Sequence, residues 1–275
     1  MRADIDGLRA VAVAAVIVNH FSRDLLPGGY LGVDIFFVIS GFVITASLCE
    51  LRAASLGGFL SQFYEKRVKR LLPALVLCVA ITSLLMCLFS AEPRLSLRTG
   101  IRALFAVSNH YLLDISADYF SPSSDLNAFT HTWSLGVEEQ FYVFFPLLLW
   151  LLLCKPAKPR LAAFAVATAA LSILSLTLFF HLNGSDQNAA FYLMPARFWE
   201  LGLGCCLFLG FRQGWLERAK AISPTWVLAL LVAALFIPVS FSPYATVAVV
   251  VLSALLIAVL PCTNPPNGIK TKPKR

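Results

Sequence analysis

The sequence contains few charged residues for its length. Of its 275 residues, 13% are Asp, Glu, Lys or Arg, whereas 59% are hydrophobic. A soluble globular domain carries about 25% charged residues. The composition therefore excludes an ordinary soluble domain and indicates a membrane protein with several spanning segments.

Sequence features that define several other classes of protein are also missing. The seven cysteines show no C-x-x-C spacing and lie mostly within apolar runs, so we expect neither a metal site nor a disulfide framework. The chain contains no internal repeat and no low-complexity tract. The residues NHFS after the first apolar run lack the small side chains of a signal-peptide cleavage site, which predicts that this run is retained as a helix.

Eight apolar runs approach the length of about 20 residues that a membrane-spanning helix needs. They are residues 8–21, 31–50, 71–90, 137–154, 161–181, 197–211, 224–240 and 244–261. A ninth segment, 100–115, is shorter and more polar. We therefore predict an all-α transmembrane bundle over residues 1–262, with eight full spans and one re-entrant or surface segment, and a disordered polar tail at 263–275.

The positive charges are concentrated between the apolar runs. Lys and Arg gather at residues 52–70, 155–160 and 212–220 and in the tail. The positive-inside rule places such clusters in the cytoplasm, which explains the net charge of +7 without a nucleic-acid partner. Nine full spans would put the later clusters outside, whereas a segment 100–115 that does not cross puts every cluster inside and residues 116–132 on the outer side.

The first apolar run has an ionisable side chain at each end. Arg9 and His20 lie eleven residues apart, about 1100° along a helix and roughly 20° past three turns, so both project from one face. An ionisable residue within a span is a functional candidate, although a snorkelling arginine and a solvated histidine are plainer explanations. The hairpin after this run should return Asp34 near His20, as the partner of a general base or as a buried ion pair.

Two further groups lie at predicted span ends. Arg67 and Arg70 form an R-x-x-R pair on one helix face, able to grip phosphates or simply to anchor the helix at the cytoplasmic side. The block HTWSLGVEEQFY places Ser134, Glu138 and Glu139 at a helix start. These residues are typical of a helix cap, but two adjacent glutamates at the entrance of a span also indicate a functional site.

Five stretches of the sequence, in this order, resemble the membrane acyltransferase-3 family. They are IDGLRAVAVAAVIVNHF, GGYLGVDIFFVISGFVIT, RVKRLLPAL, HTWSLGVEEQFY and RFWELGLG, and together they cover roughly residues 4–210. The resemblance implies that Arg9 and His20 are the family's R-x10-H pair and that Arg67 and Arg70 are its R-x-x-R pair. Asp34 and Glu138 fall in its other motif blocks.

The family resemblance also implies a reaction. Such bacterial proteins move an acyl group, usually acetyl, from cytoplasmic acyl-CoA to a hydroxyl of an exported glycan such as O-antigen or peptidoglycan. By this likeness His20 is catalytic and Asp34 or Glu138 orients it, while Arg67 and Arg70 hold the coenzyme A phosphates and Arg9 lies along the donor path. The expected location is the bacterial inner membrane, and the expected partners are membrane lipid, acyl-CoA and the glycan.

Two other interpretations follow from the same residues. The family's last spans carry an ISYSLYLWH-like block that is not found here, so we expect a chain truncated at its C-terminus, which would be an inactive remnant if the missing spans are essential. A transporter or flippase for sugars or lipid-linked glycans could also use Arg9, His20 and Asp34. The lack of an inverted repeat argues against a transporter.

The topology makes a direct prediction about residues 116–132. A Ser123→Cys substitution in a cysteine-free background should react with a membrane-impermeant maleimide on intact cells, because this segment is predicted on the outer side. Lys158→Cys is the matched control and should react only after the cells are opened. Labelling of position 123 in opened cells alone would contradict the topology.

Overall fold

The computed structural model describes residues 3–51, 53–116, 127–154, 161–216 and 221–260. Within these ranges the chain is helical and forms no strand, which confirms the all-α prediction. The helices are α1 (Ala3–Phe21), α2 (Gly32–Glu50), α3 (Leu56–Phe89), α4 (Arg94–Leu104), α5 (Ser108–Ser116), α6 (Trp133–Leu149), α7 (Leu161–Ser185), α8 (Gln187–Tyr192), α9 (Met194–Gln213), α10 (Pro224–Ala234) and α11 (Ser242–Val259).

Six helical segments of the described residues are long and apolar enough to cross a membrane. They are Gly29–Glu50, Leu56–Phe89, Thr130–Leu153, Leu161–Ser185, Gln187–Gln213 and Val239–Val259. The chain is thus a membrane protein with several spanning helices, but the predicted count of eight full spans is not confirmed. The difference arises at α1, which carries three charged residues in its first two turns, and at α10, which has only 11 residues.

The weak segment 100–115 does not form one continuous helix. It is divided between α4 and α5, of 11 and 9 residues, each too short to cross a bilayer alone. The break falls at Ala106, whose φ of 58° is in the left-handed region that non-glycine residues rarely adopt. The side-chain amide of Gln140 donates to the Ala106 carbonyl at 3.2 Å, so a contact with α6 stabilises this reversal.

The chain divides into two compact units, one formed by Met1–Thr45 with Glu200–Arg275 and the other by Ala46–Trp199. The predicted boundaries, a domain at 1–262 and a tail at 263–275, stay predictions. Several sequence predictions lie outside the described residues. These are the tail, the basic cluster 155–160, Arg52, Arg218, Lys220 and the outer position Ser123.

In the first unit, α1 and the start of α2 form the predicted hairpin. Two glycines let the helices approach closely: a Cβ on Gly29 would collide with the backbone oxygen of Ala15, and one on Gly32 would lie 2.5 Å from that of Ala12. The buried side chain of Asn19 donates to the carbonyl of Leu26 at 2.8 Å. This bond closes the turn between the helices.

The same unit contains a second close crossing, between α2 and the part of α9 from Glu200 onward. A Cβ on Gly41 would collide with the backbone oxygen of Leu201, and one on Gly204 with that of Val38. The ring of Phe42 packs edge-on against Phe208 with a centroid distance of 5.6 Å. In lipid, where the surrounding solvent is itself apolar, small residues join helices by letting their backbones touch.

In the second unit, the first half of α3 packs against other helices and most of its second half is exposed. It begins beyond the N-cap Ser55, whose hydroxyl accepts from the Gly58 amide at 3.2 Å. Its first half packs Phe59 and Phe63 against the core, with the Phe59 ring 5.1 Å from that of Trp150. Most of its second half is exposed and apolar, as expected for a surface that faces lipid.

The α2–α9 crossing predicts the effect of adding one methyl group at each glycine. Gly41→Ala and Gly204→Ala should each lower the stability by about 1–3 kcal/mol, because the new Cβ collides with backbone that cannot rotate away. Thermal unfolding of the purified protein in detergent measures the effect. Gly184→Ala in α7 is the control, since nothing lies within 4 Å of its Cβ, and it should unfold no earlier than the wild type. Equal melting of all three variants would contradict this account.

Candidate functional site

Five side chains of the second unit meet where α3 packs against α6. We call them the Arg67 cluster: Tyr64, Arg67, Glu138, Glu139 and Tyr142. Tyr64 and Arg67 share a face of α3 at spacing i, i+3, and Glu138 and Tyr142 share a face of α6 at i, i+4. The guanidinium carbon of Arg67 lies 3.7 Å from the centroid of the Tyr142 ring. At this distance the cation is attracted to the electron-rich face of the ring.

Two hydrogen bonds hold Tyr142 in place beneath the guanidinium. Its hydroxyl donates to Oε2 of Glu138 at 2.7 Å, and its backbone oxygen accepts from the Tyr64 hydroxyl at 3.0 Å. The ring is therefore fixed both at its tip and at its backbone. A planar guanidinium that rests on a fixed ring keeps one orientation, which a lysine ammonium at this position would not do.

Arg67 has donor capacity that the described residues do not use. It forms no hydrogen bond and no ion pair with them, and its Nε is buried. Glu139 interacts with Arg67 electrostatically, and its Oε1 is likewise buried without a hydrogen-bond partner among the described residues. The guanidinium of Arg67 is held in one orientation, and the nearby carboxylate of Glu139 partly neutralises its charge when no ligand is bound. This arrangement suits the binding of an anion.

Arg70 lies on the same face of α3 as Arg67 but in a different setting. It is eleven residues beyond Phe59, and therefore almost in phase with it, yet its side chain is exposed because the contact with α6 has ended one turn earlier. In the R-x-x-R pair, Arg67 is thus held against the Tyr142 ring, whereas Arg70 is exposed to solvent. Two guanidiniums at i, i+3 can still converge on one polyanionic ligand.

The first unit carries the predicted pair Arg9 and His20. The buried face of α1 is formed by Leu8, Ala12, Ala15 and Asn19. Arg9 and His20 lie together on one flank of this face, as their spacing predicts. Nη1 of Arg9 is 3.0 Å from Oδ1 of Asp6, while His20 is exposed and its Nδ1 lies 2.9 Å from the backbone oxygen of Val16.

Asp34 is in the first turn of α2 and is buried. Within the described residues the structure shows no hydrogen bond between Asp34 and His20, and the ring nitrogen bond to Val16 is local to α1. The orienting role of Asp34 stays a prediction. So does that of Glu138, which belongs to the second unit and accepts from Tyr142.

A network of polar contacts positions the helix that carries the glutamates. Asn109 of α5 is fully buried, donates to the Tyr192 carbonyl at 3.0 Å and accepts from the Gln140 amide at 2.9 Å. The hydroxyl of Ser108 donates to the backbone oxygen of Thr132 at 2.8 Å, just before α6 begins. These contacts fix the rotation of α6 and therefore the direction of Glu138.

The last sequence block contributes a buried cation to the same unit. Arg197 of α9 is 3% exposed, and its Nε donates to the Phe191 carbonyl at 3.1 Å. Its guanidinium carbon lies 5.1–5.8 Å from the ring centroids of Phe191, Phe179 and Trp133. Arg197 thereby joins α6, α7, α8 and α9 in a way that an apolar side chain could not.

Sequence reasoning did not identify Tyr64 or Tyr142 as members of the site. Glu139 was predicted only as one of two adjacent glutamates at the entrance of a span. The usable signal was the spacing: Tyr64 lies three residues before Arg67, and Tyr142 lies four after Glu138. Such spacings place pairs on one face of each helix, but they do not show that the two faces meet.

The fold and the site define a helical membrane protein with oriented charges at the ends of its spans. The chain belongs to the family described as the acyltransferase domain, whose model matches residues 2–271. The resemblance to the membrane acyltransferase-3 family is thereby confirmed. No solved structure matches the chain.

Two curated relatives of the chain are both named as O-acetyltransferases. The chain is 36% identical over 204 residues to the O-acetyltransferase OatA of Staphylococcus aureus strain NCTC 8325 / PS 47. It is 35% identical over 204 residues to the putative O-acetyltransferase SACOL0978 of Staphylococcus aureus strain COL. Each match covers 74% of this chain and 34% of the relative, so the chain matches about a third of the length of these relatives.

Proposed function

We propose that the chain is a membrane O-acyltransferase that moves an acyl group, most simply acetyl, from cytoplasmic acyl-CoA to a hydroxyl of an exported glycan. Membership of the acyltransferase family and the O-acetyltransferase names of the relatives support the reaction class. The observation that carries the donor side of the proposal is Arg67, a guanidinium oriented on Tyr142 with hydrogen-bond donors that no described residue occupies.

The donor would bind through its phosphates. Coenzyme A carries several phosphate groups, and guanidiniums recognise phosphate oxygens through paired hydrogen bonds. Arg67 offers a guanidinium of fixed orientation and Arg70 an exposed one, both just before the apolar half of α3. Lys66 and Lys69 on the same turns add positive charge, although Lys69 is paired with Glu65 at 2.5 Å. This concentration of cations supports a phosphate site on the cytoplasmic side.

The acceptor would be activated by His20. A neutral imidazole takes the proton of the acceptor hydroxyl, the hydroxyl oxygen forms a bond to the acyl carbonyl carbon, and the carbon–sulfur bond of the thioester breaks. The coenzyme A thiolate then receives the proton from the imidazolium, so that His20 returns to its starting state. Histidine suits this role because it exchanges protons near neutral pH. Asp34 and Glu138 are the proposed orienting residues, and Arg9 lies along the proposed donor path.

The family and the apolar helices support a location in a bacterial plasma membrane. Membrane lipid, the acyl-CoA donor and the glycan acceptor are the proposed partners. No metal ion has a part in the proposed reaction, because the thioester is already activated toward attack by an oxygen nucleophile.

The role of His20 predicts a selective loss of the chemical step. His20→Ala should lower transfer of labelled acetyl from acetyl-CoA to membrane glycan by about 10²–10⁴-fold, since this is the contribution of a general base. The protein should still reach the membrane in normal amount, because His20 is exposed and bonds only within α1. His110→Ala, an exposed histidine of α5, is the matched control and should remain active. Undiminished transfer by His20→Ala would contradict the mechanism.

The role of Arg67 predicts a change in donor affinity. Arg67→Gln should raise the KM for acetyl-CoA by about tenfold or more, because a charged hydrogen bond to phosphate contributes about 1.5–3 kcal/mol, and it should change kcat less. Arg67→Lys should recover only part of the affinity, since an ammonium cannot lie flat on the Tyr142 ring.

A further variant controls for effects on the fold. Arg212→Gln removes an exposed positive charge at the end of α9 and should leave the KM near the wild-type value. A normal KM for Arg67→Gln would overturn the assignment of Arg67 to the donor site.

A further inference from the structure

One cationic surface of the second unit is not used by the proposed reaction. It lies on α4, where Arg94, Arg98 and Ile101 form a stripe on one side of the helix that continues into Phe105, the residue at the C-cap. At 100° per residue, the three helical side chains fall within about 60° of one another. Arg94 and Arg98 are exposed, and Ile101 and Phe105 are 57% and 74% exposed. The stripe therefore joins two guanidiniums at one end to two apolar side chains at the other.

The opposite side of α4 fixes this orientation. Thr99 accepts a hydrogen bond of 2.7 Å from the Asn127 amide, and Ser96 accepts one of 3.2 Å from the Ala128 amide. A Cβ on Gly100 would lie 2.9 Å from the ring of Phe129. These residues are buried, so α4 cannot rotate to hide the stripe without breaking several contacts.

A third arginine, Arg102, lies beside the stripe and is held in place by contacts within the chain. The guanidinium carbon of Arg102 lies 3.8 Å from the centroid of the Tyr111 ring, and its Nη1 donates to the Arg98 carbonyl at 3.2 Å. By contrast, Arg94 and Arg98 have neither a hydrogen bond nor an ion pair through their side chains with the described residues. Among the described residues, therefore, no acidic side chain neutralises these two charges.

The length of α3 shows at which depth α4 lies. The segment between Arg70 and Ser90 contains no charged residue, and 19 helical residues at 1.5 Å each span about 28 Å, close to the thickness of the hydrocarbon core. Arg70 and the start of α4 therefore lie at opposite boundaries of the membrane. Phe89, at the end of α3, is 83% exposed, which continues the apolar surface up to that boundary.

We propose that this stripe of α4 is a binding site for the phosphate groups of anionic phospholipids at the membrane boundary opposite Arg70. Guanidiniums bind phosphate oxygens, while Ile101 and Phe105 beside them enter the acyl region, the combination that an interfacial helix needs. In the predicted topology this boundary is the outer one. Arginines there depart from the positive-inside pattern, and a phosphate-bearing lipid accounts for them. The proposal does not depend on the proposed acyl transfer.

The experiment measures lipid selectivity in nanodiscs. The full chain is purified with its bound lipid and exchanged into equimolar phosphatidylglycerol and phosphatidylcholine, and the retained lipids are quantified by native mass spectrometry. Wild type should retain phosphatidylglycerol preferentially. The Arg94→Gln, Arg98→Gln double variant should lose about 10- to 30-fold of that preference, because each cation that contacts the lipid headgroup at this site contributes roughly fivefold. The matched Arg94→Lys, Arg98→Lys variant keeps the charge and should keep most of the preference.

A control and a competition separate this site from other sources of phosphate binding. Arg212→Gln should leave the preference unchanged, because α9 is outside the stripe. Inorganic phosphate added in excess should not displace the lipid, and displacement would show a site for soluble phosphate instead. An unchanged preference in the double glutamine variant would overturn the proposal.

A depth measurement tests the same proposal without the charge variants. A fluorophore attached at Ile101→Cys, in a background without the native cysteines, should be quenched by a nitroxide on the acyl chain next to the headgroup more strongly than by one deep in the acyl chain. Stronger quenching by the deep nitroxide, or quenching by neither, would overturn the placement of α4.

Discussion

A backbone N–H or C=O within hydrocarbon has no water to bond, so each must find its partner inside the chain. This constraint makes the described residues helical and leaves the contacts between helices as the variable part of the structure. Because lipid tails are as apolar as the side chains, burial of apolar surface does not select the partners. Close approach at glycine and hydrogen bonds from side chain to backbone do so instead, as at Gly41 with Leu201 and at Asn19 with Leu26.

The surroundings of the charged residues are explained by the same constraint. A guanidinium cannot lie in hydrocarbon without a partner, and the structure meets this need in three ways. Arg197 is buried among aromatic rings and bonded to a carbonyl, Arg67 lies on the Tyr142 ring at a span end, and Arg94 and Arg98 are exposed beyond the other end of α3. One 34-residue helix thus separates the proposed donor site from the proposed lipid site by the thickness of the membrane.

Hydropathy predicted the location of most helices but not their limits. The run at 71–90 is only the apolar part of α3, which begins at Leu56 because its first turns are amphipathic and capped by Ser55. The sequence contains no glycine or proline at the break between α4 and α5 that would have predicted it. It depends on Ala106 in a left-handed conformation whose carbonyl is bonded by Gln140 from another helix. A local pattern cannot report a conformation that a distant residue stabilises.

The sequence by itself determined that the chain is a helical membrane protein, that it belongs to an acyltransferase family, and that Arg9 and His20 share one face of α1. Each of these depends on composition, on ordered motifs or on helical periodicity, which are local properties. Only the tertiary structure decided that Tyr142 lies beneath Arg67, that the Tyr64 hydroxyl bonds to the Tyr142 backbone oxygen, and that the arginine stripe of α4 faces outward. These contacts join residues far apart in the chain, and packing between helices, which no periodicity encodes, brings them together.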